Sequence, residues 1–144
     1  MSKSVSGFAV AALLLGTAAV RADDQDVIDY RVHVMKSMAE ELGAINMIIA
    51  KKAPADNFAV HVKALAVTAP QAKKAFEPKV AGGKSKPEVW SNWPDFAKRL
   101  DELVSQTDAL AKAASDGGAA AVAPKLQSLN CDSCHATYMV APKS

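Results

Sequence analysis

The densest group of reactive side chains in this 144-residue sequence is Cys131-Asp132-Ser133-Cys134-His135, close to the C-terminus. In an exported protein, a Cys-x-x-Cys-His pentapeptide is the attachment signature of c-type haem. The two thiols add across the two vinyl groups on one edge of the porphyrin, and the adjacent imidazole reaches the iron as an axial nitrogen donor. On a helix, offsets of three and four residues set Cys134 and His135 on the same face as Cys131. Two other uses of such residues fit less well. A thioredoxin-like redox pair sits beside a βαβ pattern, which is absent from this sequence. Zinc would need further thiol or imidazole ligands, and only His33 and His61 lie outside the motif.

The position of the motif limits what else can reach the iron. Nine residues follow His135, and Met139 lies one turn further along the same helix, on the imidazole side of a bound ring. Any sixth ligand must therefore come from upstream, on a segment packed across the haem. Haem attachment also presupposes export, and the N-terminus reads as an export signal. Lys3 gives a positive start, Gly7 to Val20 is a run of small and apolar residues, and Val20-Arg21-Ala22 suits cleavage before Asp23. The run is too short for the roughly 20 residues that span a bilayer. Residues 1–22 are thus expected to be a cleaved secretory signal and residues 23–144 a single periplasmic domain.

The chain carries 17 basic and 15 acidic residues, and cleavage at that point removes Lys3 and Arg21, leaving 15 of each. A near-neutral domain with scattered basic residues is a poor partner for nucleic acid, and no membrane association is expected after signal cleavage. Two cysteines are too few for a disulfide-built scaffold. Half the residues are apolar, enough for one packed core in a chain of this size.

The elements that must position the motif are helical. Ile28, Met35, Met38, Leu42, Ile45 and Ile49 step by 7, 3, 4, 3 and 4, with Arg31 filling the first gap. That is one stripe of a long helix, with Asp23, Asp24 and Asp26 at its start and Lys51 and Lys52 at its end. A second helix runs from about 56, where Asp56 can cap it, to 76, with Pro70 expected to kink or divide it. Residues 77–92 form the one long loop. A third helix, with Pro94 in its first turn and the stripe Trp93, Phe96, Leu100, Leu103, Thr107 and Leu110, ends before Gly117-Gly118. A last helix starts near Ala119 or Pro124, carries Leu126 and Leu129, and stops before Pro142. No segment alternates as a strand would. The expected fold is all-α, an antiparallel up-and-down four-helix bundle enclosing one haem.

Arg31 interrupts an apolar seam and so needs an anionic partner, which a haem propionate supplies better than a surface carboxylate. His33 lies two positions from Met35, about 200° round the helix, and should face away from whatever Met35 addresses. His61 reads as an ordinary partly buried histidine. Met38 shares the Met35 seam, and Met47 reads as packing. No paired carboxylates or nucleophile–base set accompanies the haem elements, so an enzyme is not expected.

Taken together, Tyr30-Arg31-Val32-His33-Val34-Met35-Lys36, Lys86-Pro87-Glu88-Val89-Trp90 with Trp93-Pro94-Asp95-Phe96, and Cys131 to His135 followed by Tyr138 resemble the class II c-type cytochromes, the cytochrome c′ and cytochrome c-556 family. The resemblance implies one haem c per chain, with Cys131 and Cys134 as thioether donors and His135 as the proximal ligand. It sets Met35 over the distal face of the iron. Ligation there would give a low-spin one-electron carrier serving redox partner proteins of the periplasm. Without ligation, a five-coordinate cytochrome c′ would bind nitric oxide or carbon monoxide. The resemblance also implies that Trp90 and Tyr138 line the pocket, although plain aromatic packing of the loop and last helix explains them equally well, and that two copies pair as a homodimer through the first two helices. One departure stands out: Met139 occupies the position after the aromatic residue where the family usually has Arg or Lys.

Overall fold

The computed structural model describes residues 22–141, so the expected signal segment lies outside the described residues except for Ala22. The first helix, α1, spans Asp24–Ile49. Its start is fixed by a reciprocal capping box: the Asp23 carboxylate accepts from the Asp26 N–H at 2.8 Å, and the Asp26 carboxylate accepts from the Asp23 N–H at 3.1 Å. Two otherwise orphaned donors are satisfied, and the negative charge complements the helix dipole. The end falls short of the expected Lys51 and Lys52. There the chain turns through a left-handed residue, Lys51 at φ 57. The Lys51 N–H donates to Ile48 at 2.9 Å and the Lys52 N–H to Met47 at 2.8 Å, the paired bonds of a Schellman stop.

The second helix, α2, is Phe58–Phe76 and continues through Pro70 without dividing. It starts after Asn57, whose side chain makes no capping bond, so Asp56 is not the cap that the sequence suggests. Its buried face combines the large residues Phe58, Val62, Leu65 and Phe76 with the small Ala66, Ala69, Ala72 and Ala75. The expected loop contains one turn of helix, α3, at Glu88–Ser91. Next comes α4, Trp93–Leu126, packed on α2 opposite α1.

The largest correction concerns the last helix. The break at Gly117 and Gly118 is real, and Gly118 at φ 59, ψ −147 adopts a backbone conformation that a side chain would strongly disfavour. Past it, however, the helix does not run unbroken to Pro142. Residues 119–126 complete α4, the chain tightens through Ser128 and Leu129, and a separate eight-residue helix, α5, spans Cys131–Tyr138. Counted as arms, α1, α2, the first part of α4, and the remainder with α5 make the expected four-helix bundle. Among the described residues there is no strand, only isolated bridges pairing Ser85 with Gly82 and Met139. No described helix is long and apolar enough to cross a membrane.

The stripe on α1 divides into two. Arg31, Val34, Met38, Ile45 and Ile48 are buried, whereas Ile28, Met35 and Leu42, seven residues apart, are only half-buried. Met47 is 51% exposed, so it is not the packing residue the sequence suggests. A left-handed Lys51 costs about 1 kcal/mol relative to glycine, partly offset by glycine's larger unfolded-state entropy. Lys51→Gly should therefore raise stability by about 0.5 kcal/mol, measured as a higher denaturation midpoint with unchanged slope.

Candidate functional site

The half-buried row of α1 faces a cavity of about 560 Å³, within the range of about 300–1,000 Å³ usual for cofactor sites. Ile28, Arg31, Met35, Met38 and Leu42 form its α1 wall, and Leu65 and Phe76 come from α2. Phe96, Leu100 and Leu103 come from α4. On the α5 side stand Cys131, Cys134, His135 and Tyr138. The lining is mostly apolar, and the thiols and the imidazole reach it together. The loop after α2 lies along the edge: a Cβ on Gly82 (φ 129) would come within 2.8 Å of the Ile28 side chain. A side chain there would have to displace the cavity wall.

Cys131 and Cys134 are free and half-buried, and burial pushes both thiols above their ordinary pKa. His135 is exposed at the rim. Met35 is half-buried on the α1 wall and Met38 is buried beside it. His33 is exposed and off the cavity, as its helical angle requires. His61 pairs instead with Glu41 across α1 and α2, at 2.8 Å.

Arg31 is 3% exposed, and burial lowers its pKa. Its Nε donates to the Ala75 carbonyl and one terminal nitrogen to the Pro78 carbonyl, each at 3.1 Å. The guanidinium stacks over Trp90 at 4.9 Å and Phe76 at 5.3 Å. Its other terminal nitrogen, Nη1, is buried with no protein partner. A buried charged donor without a partner is costly unless an acceptor meets it, and an anion meets it best. Of the two readings of Trp90, packing is the one seen: it stacks on Arg31 outside the lining and donates its indole N–H to the Phe76 carbonyl at 3.1 Å.

Sequence reasoning missed how α5 is held. The Tyr138 hydroxyl donates to Asp95 Oδ2 at 2.5 Å, and Arg99 Nε donates to the same oxygen at 2.8 Å. Asn92 donates to the Tyr138 hydroxyl at 3.2 Å. The Tyr138 ring meets Phe96 edge-on, with centroids 5.0 Å apart. Asn130, just before α5, donates its side-chain N–H to the Arg99 carbonyl and its backbone N–H to Gln106. At the far end, the Lys86 ammonium donates to the carbonyls of Ala136 and Thr137 at 3.2 and 3.1 Å, capping the negative helix end. The four-residue spacing of Asp95 and Arg99 is visible in the sequence as an ion pair on one helix face. Its link to Tyr138 is not.

Comparison with known proteins agrees with this geometry. A family profile described as Cytochrome C' matches residues 26–139. A cytochrome c-556 from Agrobacterium fabrum is 31% identical over 117 residues, covering 77% of this chain and 79% of that protein. A cytochrome c′ from Rhodospirillum rubrum is 29% identical over 136 residues, covering 90% and 92%. In fold, the chain resembles a nitric oxide complex of a cytochrome c′ variant from Alcaligenes xylosoxidans, with TM-score 0.77 and 24% identity over 85% of this chain and all of that one. The chain belongs to the cytochrome c′ family of class II c-type cytochromes. Its cofactor is haem c, one per chain. The residues present fit that group: an apolar slot, two thiols and an imidazole on one wall, and on the other a buried guanidinium with one terminal nitrogen, Nη1, left without a protein partner.

The hydrogen bond from Tyr138, then that from Arg99, holds Asp95 below the usual carboxylate range. Burial, then the bond to Asp95, pushes the Tyr138 phenol up to about 12. The fold keeps this phenol neutral, so its contribution is full below its ordinary pKa of about 10 and is lost as pH rises through about 12. Asp95 behaves in the opposite sense: its contribution is full above about pH 4 and disappears as pH falls through its lowered value. Urea midpoints of Tyr138→Phe should converge on wild type as pH rises from 10 to 12, and those of Asp95→Asn should converge as pH falls below 4.

Proposed function

We propose that this protein is an exported periplasmic one-electron carrier, released from its signal by cleavage after residue 22. In this reading Cys131 and Cys134 form the thioether bonds, His135 is the proximal ligand, Met35 is the distal ligand, and Arg31 binds a haem propionate. The observation that carries it is that Met35 and His135 line one cavity from two different helices. Those helices have separate supports, α1 packing on α2 and α5 on α4. Such walls suit a flat ring between them with one donor on each side. The 31% identity to a protein named cytochrome c-556 supports the same branch of the family.

When bound, the haem supplies one-electron exchange between Fe(III) and Fe(II). The chain's own contribution is to hold and to shield. Met38, Leu65, Phe96, Leu100 and Leu103 keep water from the cavity, and the free N–H groups of Arg31 give a propionate charge-assisted bonds. No side chain needs to move a proton. Redox proteins of the periplasm are the partners this activity requires, and family members that pair through α1 and α2 make a homodimer the expected assembly.

A second reading rests on the relatives. Several solved neighbours are nitric oxide or carbon monoxide complexes of cytochrome c′. If Met35 only lines the cavity, the apolar surface of Met38, Leu42 and Leu65 would leave room for a small uncharged gas. The ferric spectrum decides between them. Thioether ligation predicts a low-spin centre with a far-red sulfur-to-iron band in wild type and a high-spin centre in Met35→Leu. A wild-type protein that is already high-spin and takes up carbon monoxide without delay would overturn the electron-carrier reading in favour of the gas-binding one.

A further inference from the structure

Arg99 touches α5 at its start, its middle and its end. The Arg99 backbone carbonyl accepts from the side chain of Asn130, immediately before α5, at 3.0 Å. Its Nη1 donates to the carbonyl of Ser133, between the two cysteines, at 3.3 Å. Its guanidinium lies over the ring of Tyr138, 5.5 Å from the centroid, and its Nε shares Asp95 Oδ2 with the tyrosine hydroxyl. The same side chain forms part of the cavity wall with Cys134. The residue after Tyr138 is the uncharged Met139, also on that wall.

We infer that Arg99 is a positioning residue for the haem-bearing helix and that the Arg99–Asp95 pair tunes the iron's reduction potential from the α5 side. The inference rests on the reading of Cys131, Cys134 and His135 given above. A positive charge beside a redox centre favours the reduced form and a negative charge the oxidised form; this pair is partly exposed, at 28% for Arg99 and 40% for Asp95, so solvent screens the effect to a modest size. In the pair the two charges largely offset each other. Removing Arg99 leaves Asp95 uncompensated, and neutralising Asp95 leaves Arg99 uncompensated. The two changes should therefore move the potential in opposite directions. A purely structural brace would behave differently, because loosening α5 from either side disturbs the same imidazole in the same way.

The test uses matured holoprotein, with spectroelectrochemical titration for potential and hydrogen exchange for α5. Arg99→Gln should shift the ferric–ferrous equilibrium roughly three- to tenfold toward ferric, and Asp95→Asn should shift it toward ferrous. Lys98→Gln, which removes an exposed cation paired with Glu102, should shift it less than about twofold. Arg99→Lys keeps the charge but not the forked contacts. It should hold the potential near wild type while the amides of α5 exchange faster. If Arg99→Gln fails to mature, Asp95→Asn and Arg99→Lys carry the comparison. Equal-sign shifts for Arg99→Gln and Asp95→Asn overturn the inference, as does an Arg99→Lys protein with unchanged α5 exchange. If Arg99→Gln does not mature, a shift toward ferric in Asp95→Asn overturns it alone. Wild-type protein without covalent haem would defeat the underlying reading and this inference with it.

Discussion

The site depends on holding a helix too short to hold itself. Within α5 only Tyr138 is buried, which contributes about 2 kcal/mol. Ordering the α5 backbone costs conformational entropy, and an isolated helix of eight residues is marginal in water. Burial of one aromatic ring cannot offset this. Contacts from other elements hold the helix: Asn92, Asp95, Arg99 and Gln106 on the α4 side, and Lys86 from the loop at the far end. Two thioether bonds to a ring seated in the bundle would complete the attachment, coupling the fold of α5 to the cofactor.

The opposite wall has its own constraint. A single helix, α1, must supply part of the bundle core and one side of the cavity. It does so by dividing its apolar stripe. Val34, Ile45 and Ile48 are buried in the core, while Ile28, Met35 and Leu42 repeat every seven residues toward the cavity. Arg31 stands at the border between the two. Its bonds to Ala75 and Pro78 stitch α1 to the end of α2 and the start of the loop. Its remaining terminal nitrogen, Nη1, is buried without a protein partner. Its stacking between Phe76 and Trp90 also explains why a tryptophan belongs in the loop although it does not reach the cavity.

Much of this was legible in the residues. The spacing of Cys131, Cys134 and His135 points to haem attachment, and the 3-and-4 stepping of α1, α2 and the first part of α4 marks them as helices with one apolar face. Arg31 was detectable as a charge on that face. Less visible was anything set by a partner distant in sequence. The stripe of α1 reads as one surface because periodicity reports burial, not what does the burying. The last helix appears unbroken because Gln127 to Leu129 carry no glycine or proline; at the break Asn130 bonds instead to Arg99 and Gln106, partners distant in sequence. The halt at Ile49 was hidden because Lys51 adopts a conformation usually marked by glycine. Asp95 and Arg99 look like an ordinary exposed ion pair until Tyr138 arrives from 43 residues away.

Intact mass spectrometry of the purified exported protein after treatment with a thiol-alkylating reagent tests the central claim most directly. The account predicts a chain beginning at Asp23 and heavier than its peptide by one haem, with neither Cys131 nor Cys134 alkylated. A colourless chain of bare peptide mass with two alkylated thiols, produced alongside a competent haem-attachment system, would contradict it.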